Sequence, residues 1–331
     1  MKTKATALLL GILLLAGCQR VELPGVDVVF SIGDETRLAD TGGEGSVDSW
    51  TLLLYRDGQL AECGASSGGA SIRKRLAEGG YTAFAVVNPP AGFRPEDYPA
   101  VRDLEDASSS LPDNAPGRLV MAGSRIVNVP VPEGETQRIG VDRLVCKAGV
   151  RRISVAFTDP LLAGRSFRLK ALYLTNCYGE SRYGHDLATS DILSDNSLWH
   201  NPMGFHSETR VDGLLAETGI DTPVTTGSPH TQEHYFYYYP NPLSETLDTR
   251  SGTWTRRRTR LVIEAEIDGR TYYYPVTLPA SSRNRTYIIE EAVVRRLGSR
   301  DPEKDEPGAI DVSFSTSTDD WSPTCNVSEN S

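Results

Sequence analysis

Several features on which the commoner enzyme classes depend are missing from this chain. There is no Cys-x-x-Cys, so a paired-cysteine zinc site and a dithiol redox centre both lack their spacing. No Gly-x-Ser-x-Gly marks a nucleophile elbow. Glycine-rich stretches such as Ser66-Ser67-Gly68-Gly69 are not followed by the Lys-Ser/Thr that phosphate cradling requires. Positive charge is short: 34 Lys and Arg stand against 44 Asp and Glu, a net charge of −10. That balance excludes the broad basic face a nucleic-acid partner needs. Arg256-Arg257-Arg258 is a local exception and reads as the solvated entrance to a strand. The apolar run from Ala5 to Leu15, about 11 residues, is too short to cross a bilayer core of roughly 30 Å.

One string has a catalytic form. His230-Thr231-Gln232-Glu233-His234 fits His-x-x-Glu-His, in which two imidazoles on one helical face bind zinc and the glutamate acts as base. Here Gly227 and Pro229 precede it and a Tyr-rich, strand-like run begins at Tyr235, which leaves no room for the helix. The string is therefore expected to be a loop entering a strand. His185, His200 and His206 form no ligand spacing. No metal, no cofactor and no enzymatic activity are expected.

What is present begins at the start of the chain. Lys2 and Lys4, the apolar run and Leu15-Ala16-Gly17-Cys18 make a signal peptide ending in a lipobox. Small residues at Ala16 and Gly17 admit the peptidase, and the Cys18 thiol is the nucleophile for lipid attachment. Residues 1–17 are thus expected to be a lipoprotein signal peptide, and the mature chain is expected to be anchored to a membrane rather than to span it. Cys63, Cys146, Cys177 and Cys325 remain, an even number in an oxidising compartment, with three pairings open.

The body of the chain reads as short strands. Val26, Val28, Phe30 and Ile32 alternate with smaller or polar residues and share one face. Trp50–Tyr55 is a buried strand stopped by Asp57-Gly58, and Gly80–Asn88 is another, closed by Pro89-Pro90. Residues 97–104 allow a short helix. Alternation returns from Leu144 to Phe157 and Phe167 to Leu174, then in Tyr235–Tyr239, Thr259–Ile267, Arg270–Leu278, Thr286–Val294 and Ala309–Phe314. Asp268-Gly269 is the strongest local hairpin signal. The fold class expected is all-β, with two tandem β-sandwich domains of transthyretin-like, Greek-key type. The divisions are 18–37, 38–140 and 141–331.

These residues resemble the fimbrillin family, the subunits of type V pili. The likeness is carried by Val26–Ile32, Arg37, Trp50–Tyr55 with Asp57-Gly58, and Gly80–Asn88. It continues at Asp142–Val150, Leu172–Asn176, Phe236–Pro242, Thr259–Glu264, Tyr272–Val276, Arg283–Tyr287, Gly298–Pro302 and Asp320-Trp321. The resemblance implies a fimbrial subunit exported as an outer-membrane lipoprotein. An Arg-specific protease would cut at Arg37-Leu38 and remove the lipidated segment with its strand of Val26, Val28, Phe30 and Ile32. A neighbouring subunit's C-terminal strand would then fill the opened groove by β-augmentation. Arg20 lies too early to release the strand, and Arg56 ends a buried one. The tail after Trp321 is polar and a poor donor. Ile310, Val312 and Phe314 are the candidate donor residues, although the subunit's own sheet has equal use for them. The partners implied are other fimbrial subunits, the protease, the membrane and a host protein or glycan. The polar tail suits an accessory, tip or anchor subunit as well as a stalk. The alternative function is a surface glycan-binding lipoprotein, with Tyr235, Tyr237, Tyr238, Tyr239, Tyr272, Tyr273 and Tyr274 stacking on sugars from whichever face is open.

Overall fold

The computed structural model describes residues 25–33, 44–192, 198–200, 213–244 and 257–317. Cys18, Arg20, Arg37, Leu38, Trp321 and Cys325 lie outside these residues. Among the described residues the architecture is all-β, with mixed and antiparallel sheets.

The first half holds β1 (Val26–Ile32), β2 (Ser49–Arg56), β3 (Gln59–Ser67), β4 (Ile72–Leu76), β5 (Gly79–Val87), β6 (Ser108–Ser110), β7 (Met121–Val129), β8 (Thr136–Ile139) and β9 (Asp142–Arg143). Two sheets result, in the orders β4-β1-β8 and β3-β2-β5-β7-β9. Alternation explains how they meet. Val28, Phe30 and Ile32 of β1 share one buried cluster with Trp50, Leu52 and Leu54 of β2 and Ala83, Ala85 and Val87 of β5. The residues between them, Leu53 and Tyr55 of β2 and Phe84 and Val86 of β5, point the other way into a second cluster. β2 and β5 are therefore buried on both faces, which is why β2 is apolar almost throughout, whereas β3 at the edge of the sheet is largely exposed.

The second half holds β10 (Cys146–Val150), β11 (Ile153–Val155), β12 (Phe167–Thr175), β13 (Cys177–Tyr178), β14 (Glu180–Arg182), β15 (Trp199–His200), β16 (Ala216–Val224), β17 (His234–Tyr238), β18 (Arg260–Ile267), β19 (Arg270–Thr277), β20 (Thr286–Val294) and β21 (Ile310–Ser317). One sheet runs β16-β12-β18-β19. The other joins β17 to β10 and β10 to β20; β11 continues beside β20 after β10, and β21 pairs with β20. The two share the large cluster, with Phe167, Leu172 and Ile263 on one side and Ala148, Phe236 and Ile289 on the other. That same cluster takes in Leu53 and Phe84, so apolar packing runs from one half into the other. A short ladder of β6 with β14 also bridges them.

The expected hairpins form. Asp57-Gly58 and Asp268-Gly269 both have positive φ at each residue, the geometry of a type I′ turn. The helix expected over 97–104 is displaced. A single 3-10 turn occupies Pro95–Asp97 and α1 covers Val101–Asp106. Pro99 is the reason, because the residue before a proline is held out of the helical region and Tyr98 is at φ −121°, ψ 66°. The cysteines also depart from expectation: Cys63 is exposed, Cys146 and Cys177 are buried, and all three are free. Burial pushes the Cys146 and Cys177 thiols well up, and Cys146 Sγ–H is held by the Ser282 carbonyl at 3.0 Å.

The chain from Thr136 to Arg143 serves first in the three-stranded sheet and then in the five-stranded one, crossing between them at Gly140 and Val141. It passes so close to β7 that a Cβ on Gly123 would meet the Gly140 carbonyl oxygen at 1.9 Å. Backbone, not a flexible side chain, stands in the way. Gly123→Ala is accordingly expected to lower stability by about 1–3 kcal/mol in urea unfolding, while Gly92→Ala, which meets nothing within 4 Å, leaves the midpoint nearly unchanged.

Candidate functional site

The first strand is the feature with the most distinctive placement. β1 is the middle strand of its sheet: it pairs antiparallel with β4, Val26 opposite Leu76 through Phe30 opposite Ile72, and parallel with β8, Val29 opposite Thr136 through Ile32 opposite Ile139. Both of its hydrogen-bonding edges are thus occupied, and Gly33 N–H extends the second ladder by donating to the Ile139 carbonyl at 2.8 Å. Val28 and Phe30 are 0 % exposed and Ile32 is 5 % exposed; Val26 is half-buried. At about 1.5–3 kcal/mol for each fully buried large apolar side chain, these residues contribute several kcal/mol to the domain they sit in. The outer face of the slot is cationic. Arg75 stands opposite Asp27 and Arg73 opposite Val29 on β4, while Arg138 stands opposite Ser31 on β8.

The chain re-enters the described structure at Glu44, and there it is fastened. Lys147 Nζ lies 2.6 Å from Glu44 Oε1, with the two side chains 13 % and 9 % exposed. The Tyr237 hydroxyl donates to the same carboxylate, and Arg143 Nε donates to the Glu44 carbonyl at 3.1 Å. The Lys147 ammonium also sits 4.2 Å from the centre of the Tyr235 ring. Glu44 therefore ties the start of the second segment to β10 and β17, elements of the other half. No local signal in the sequence marks it, since a lone acid in a glycine-rich loop has no pattern and its partner lies some hundred positions on.

The candidate donor residues lie at the far end of the chain. β21 is an edge strand held along one side by β20. Ile310 and Val312 are half-buried, and Phe314 is 39 % exposed. A groove of about 270 Å³ opens between β19 and β21, lined among others by Tyr274, Val276, Ile310, Val312 and Phe314. Arg56, set aside as a processing point, closes β2 with its guanidinium donating to the Glu78 carbonyl and lying over Tyr81.

His230 and His234 do meet, though on an extended segment and not a helix. His234 Nδ1 lies 2.6 Å from Glu217 Oε2 on β16, and the two Nε2 atoms lie 2.7 Å apart. A carboxylate accepts from Nδ1–H, which leaves His234 Nε2 to accept from His230 Nε2–H. The rings stack at 5.0 Å between centroids. Desolvation first, and the neighbouring His234 second, lower the His230 pKa; Glu217 pulls the other way. The cluster clasps the edge strand β16 to β17. Among the described residues no group of three or more His, Cys, Asp or Glu side chains is arranged to hold a metal ion.

The tyrosines correct the stacking-platform expectation. Tyr237, Tyr238, Tyr239 and Tyr274 are buried, Tyr235, Tyr272 and Tyr273 are half-buried, and Lys147 and Arg300 lie over the rings of Tyr235 and Tyr272. Tyr239 is bound into the junction of the two halves through Ser109 and Asn114. No open aromatic face results.

Comparison with known proteins places this geometry among related folds. No protein-family model and no curated protein matches the chain. Solved structures do. A fimbrilin from Porphyromonas gingivalis aligns over 88 % of this chain and 96 % of its own, at 14 % identity and a TM-score of 0.58. A candidate cell adhesion protein from Parabacteroides distasonis aligns over 89 % and 98 %, at 14 % identity and a TM-score of 0.63. A tip fimbrial protein from Porphyromonas gingivalis, with its C-terminus truncated, aligns over 89 % and 100 %, at 13 % identity and a TM-score of 0.53. At such identities the likeness is one of fold: the chain has the fold of fimbrial and cell adhesion proteins.

Two outcomes test the local energetics. Lys147→Met strands the Glu44 carboxylate in a largely buried place and should cost about 3 kcal/mol in urea unfolding, with part recovered in the Glu44→Gln/Lys147→Met double variant. His230 takes up a proton less readily folded than unfolded, so its contribution is present above its usual value near 6.5 and is lost as pH falls through the lowered folded value. The urea midpoint should therefore drop on acidification from about pH 7, and His230→Gln should make that drop shallower.

Proposed function

We propose that this protein is a structural or adhesive subunit of a cell-surface fimbria, exported as a lipoprotein through Cys18 and without enzymatic activity. The chain divides into two tandem β-sandwiches near residue 140. Maturation removes β1: an Arg-specific protease cuts at Arg37-Leu38, and the lipidated segment departs with Val26, Val28, Phe30 and Ile32. The vacated slot then accepts a strand from another subunit.

The observation that carries this reading is the position of β1. A strand paired on both edges and buried on its inner face leaves, when withdrawn, two bare ladders and a row of empty apolar pockets. The connection from β1 to Glu44 is the stretch that holds Arg37, and the fastening of Glu44 keeps everything after that stretch in place. The uncut precursor stays monomeric because its own strand fills the slot. A fimbrilin and a tip fimbrial protein are among the solved structures of similar fold, which is consistent with this reading.

The test uses purified precursor and an Arg-specific protease, followed by size analysis and N-terminal sequencing. Oligomers whose subunits begin at Leu38 are expected. Assembled subunits that still begin at Cys18 would overturn the processing step.

A further inference from the structure

The three-stranded sheet that holds β1 turns one face to the core and the other outward, and the outward face is cationic. Alternation sends Asp27, Val29 and Ser31 of β1 outward with Arg73 and Arg75 of β4 and Arg138 of β8. Arg73, Arg75 and Arg138 are all exposed, and Arg125 reaches β8 from β7 by donating to the Arg138 carbonyl at 3.0 Å. Asp27 is the only acid on the three strands. The nearby carboxylates are engaged on the inner side: Glu62 with Lys74 at 3.4 Å and Glu135 with the buried Gln137. Arginines of the other half are used differently, since Arg151, Arg152, Arg168 and Arg295 each lie within 3.0 Å of a carboxylate. Arg73 and Arg75 form no ion pair among the described residues. A guard against edge pairing needs charge on the strand but no particular face. Both of these cations stand on the same one.

The stretch of chain that leads into this sheet is the one that carries Cys18. Cys18 precedes Gly25 by seven residues, a span of about 25 Å at most. Gly25 lies against Arg75, because a Cβ on it would meet Arg75 Cγ at 2.7 Å. The cationic face therefore begins where the tether ends. A chain of net charge −10 is repelled as a whole from an anionic bilayer. It approaches by the face on which cations outnumber acids, and at contact those cations act within the Debye length of about 8 Å. Guanidinium groups also match phosphate oxygens two at a time. We propose that the outer face of β4-β1-β8 rests on the phosphate-bearing headgroups of the membrane that holds the Cys18 lipid, with Arg73, Arg75 and Arg138 as its contacts. The precursor then lies on the bilayer instead of standing off it, and lipid and arginines are two signals for one surface. The inference rests on the reading that Cys18 is lipidated, and adds to it the face that meets the membrane and the orientation that follows.

Vesicle binding by a chain without lipid separates the face from the anchor. The mature chain from residue 18 onward, with Cys18→Ser, is mixed with vesicles of phosphatidylcholine alone or with phosphatidylglycerol as about a third of the lipid, and co-sedimentation is read at low salt. Binding to the anionic vesicles should be at least about tenfold stronger than to the neutral ones, and should vanish at about 0.5 M salt. Arg73→Glu/Arg75→Glu/Arg138→Glu should weaken it by about tenfold or more. Arg94→Glu/Arg270→Glu/Arg296→Glu makes the same change in net charge at exposed positions elsewhere, and should leave binding within about threefold. Arg73→Gln/Arg75→Gln, which brings in no new charge, should fall part of the way while keeping the parent's urea midpoint. Equal binding to the two vesicle types, equal losses in the two triple variants, or displacement by inorganic phosphate at matched ionic strength would overturn the proposal. Chains recovered from membranes with no lipid on Cys18 by mass spectrometry, together with intact vesicle binding, would sink the anchor and leave the face standing.

Discussion

The structure depends on the burial of an alternating apolar strand at the centre of a narrow sheet. β1 supplies the middle of β4-β1-β8 and the apolar contacts that cover one face of β2 and β5. A middle strand satisfies two sets of backbone partners at once, whereas an edge strand such as β21 satisfies one. The alternating apolar residues of β1 are thus fully used, whereas the edge strand β21 leaves Phe314 39 % exposed.

The remaining described strands have packing of their own. β2 and β5 are buried on both faces, and their second face belongs to a cluster that runs into the other half. Glu44, Lys147, Tyr237 and Arg143 form a largely buried polar knot where the chain returns after β1. Such a knot contributes little net stability compared with apolar packing, but it fixes which groups meet, because an unpaired partner would be costly. Tyr239, hydrogen-bonded to Ser109 and Asn114, makes a second polar contact across the halves.

How much of this could be read from the residues alone varies with how each strand is buried. β1, β2, β5, β12, β18, β19 and β20 carry either strict alternation or a continuous apolar run, and the two Asp-Gly turns announce their hairpins. β4 was invisible: only Ile72 and Leu76 at its ends are buried, and Lys74 between them turns to Glu62. β8 has two buried side chains in four residues, too few to establish a period. β16 is a polar edge whose Asp221 is bound by Arg168 and Lys170 of β12. The alternation in Val26–Ile32 thus disclosed a half-buried strand, but its central position rests on β4 and β8, the two strands that local pattern does not reveal. The His230–His234 pair was legible as an extended segment, whereas its contact with Glu217 belongs to tertiary structure alone.

The turn between β8 and β9 has a mechanical meaning. β8 continues into the deeper sheet through Gly140 and Val141, and β4 does so through Ala77 and Glu78. Both rails beside the first strand are therefore stitched to the layer beneath by two-residue links, which fix their spacing at those ends. A strand held between two such rails and pulled along its length loads its backbone bonds together rather than one after another.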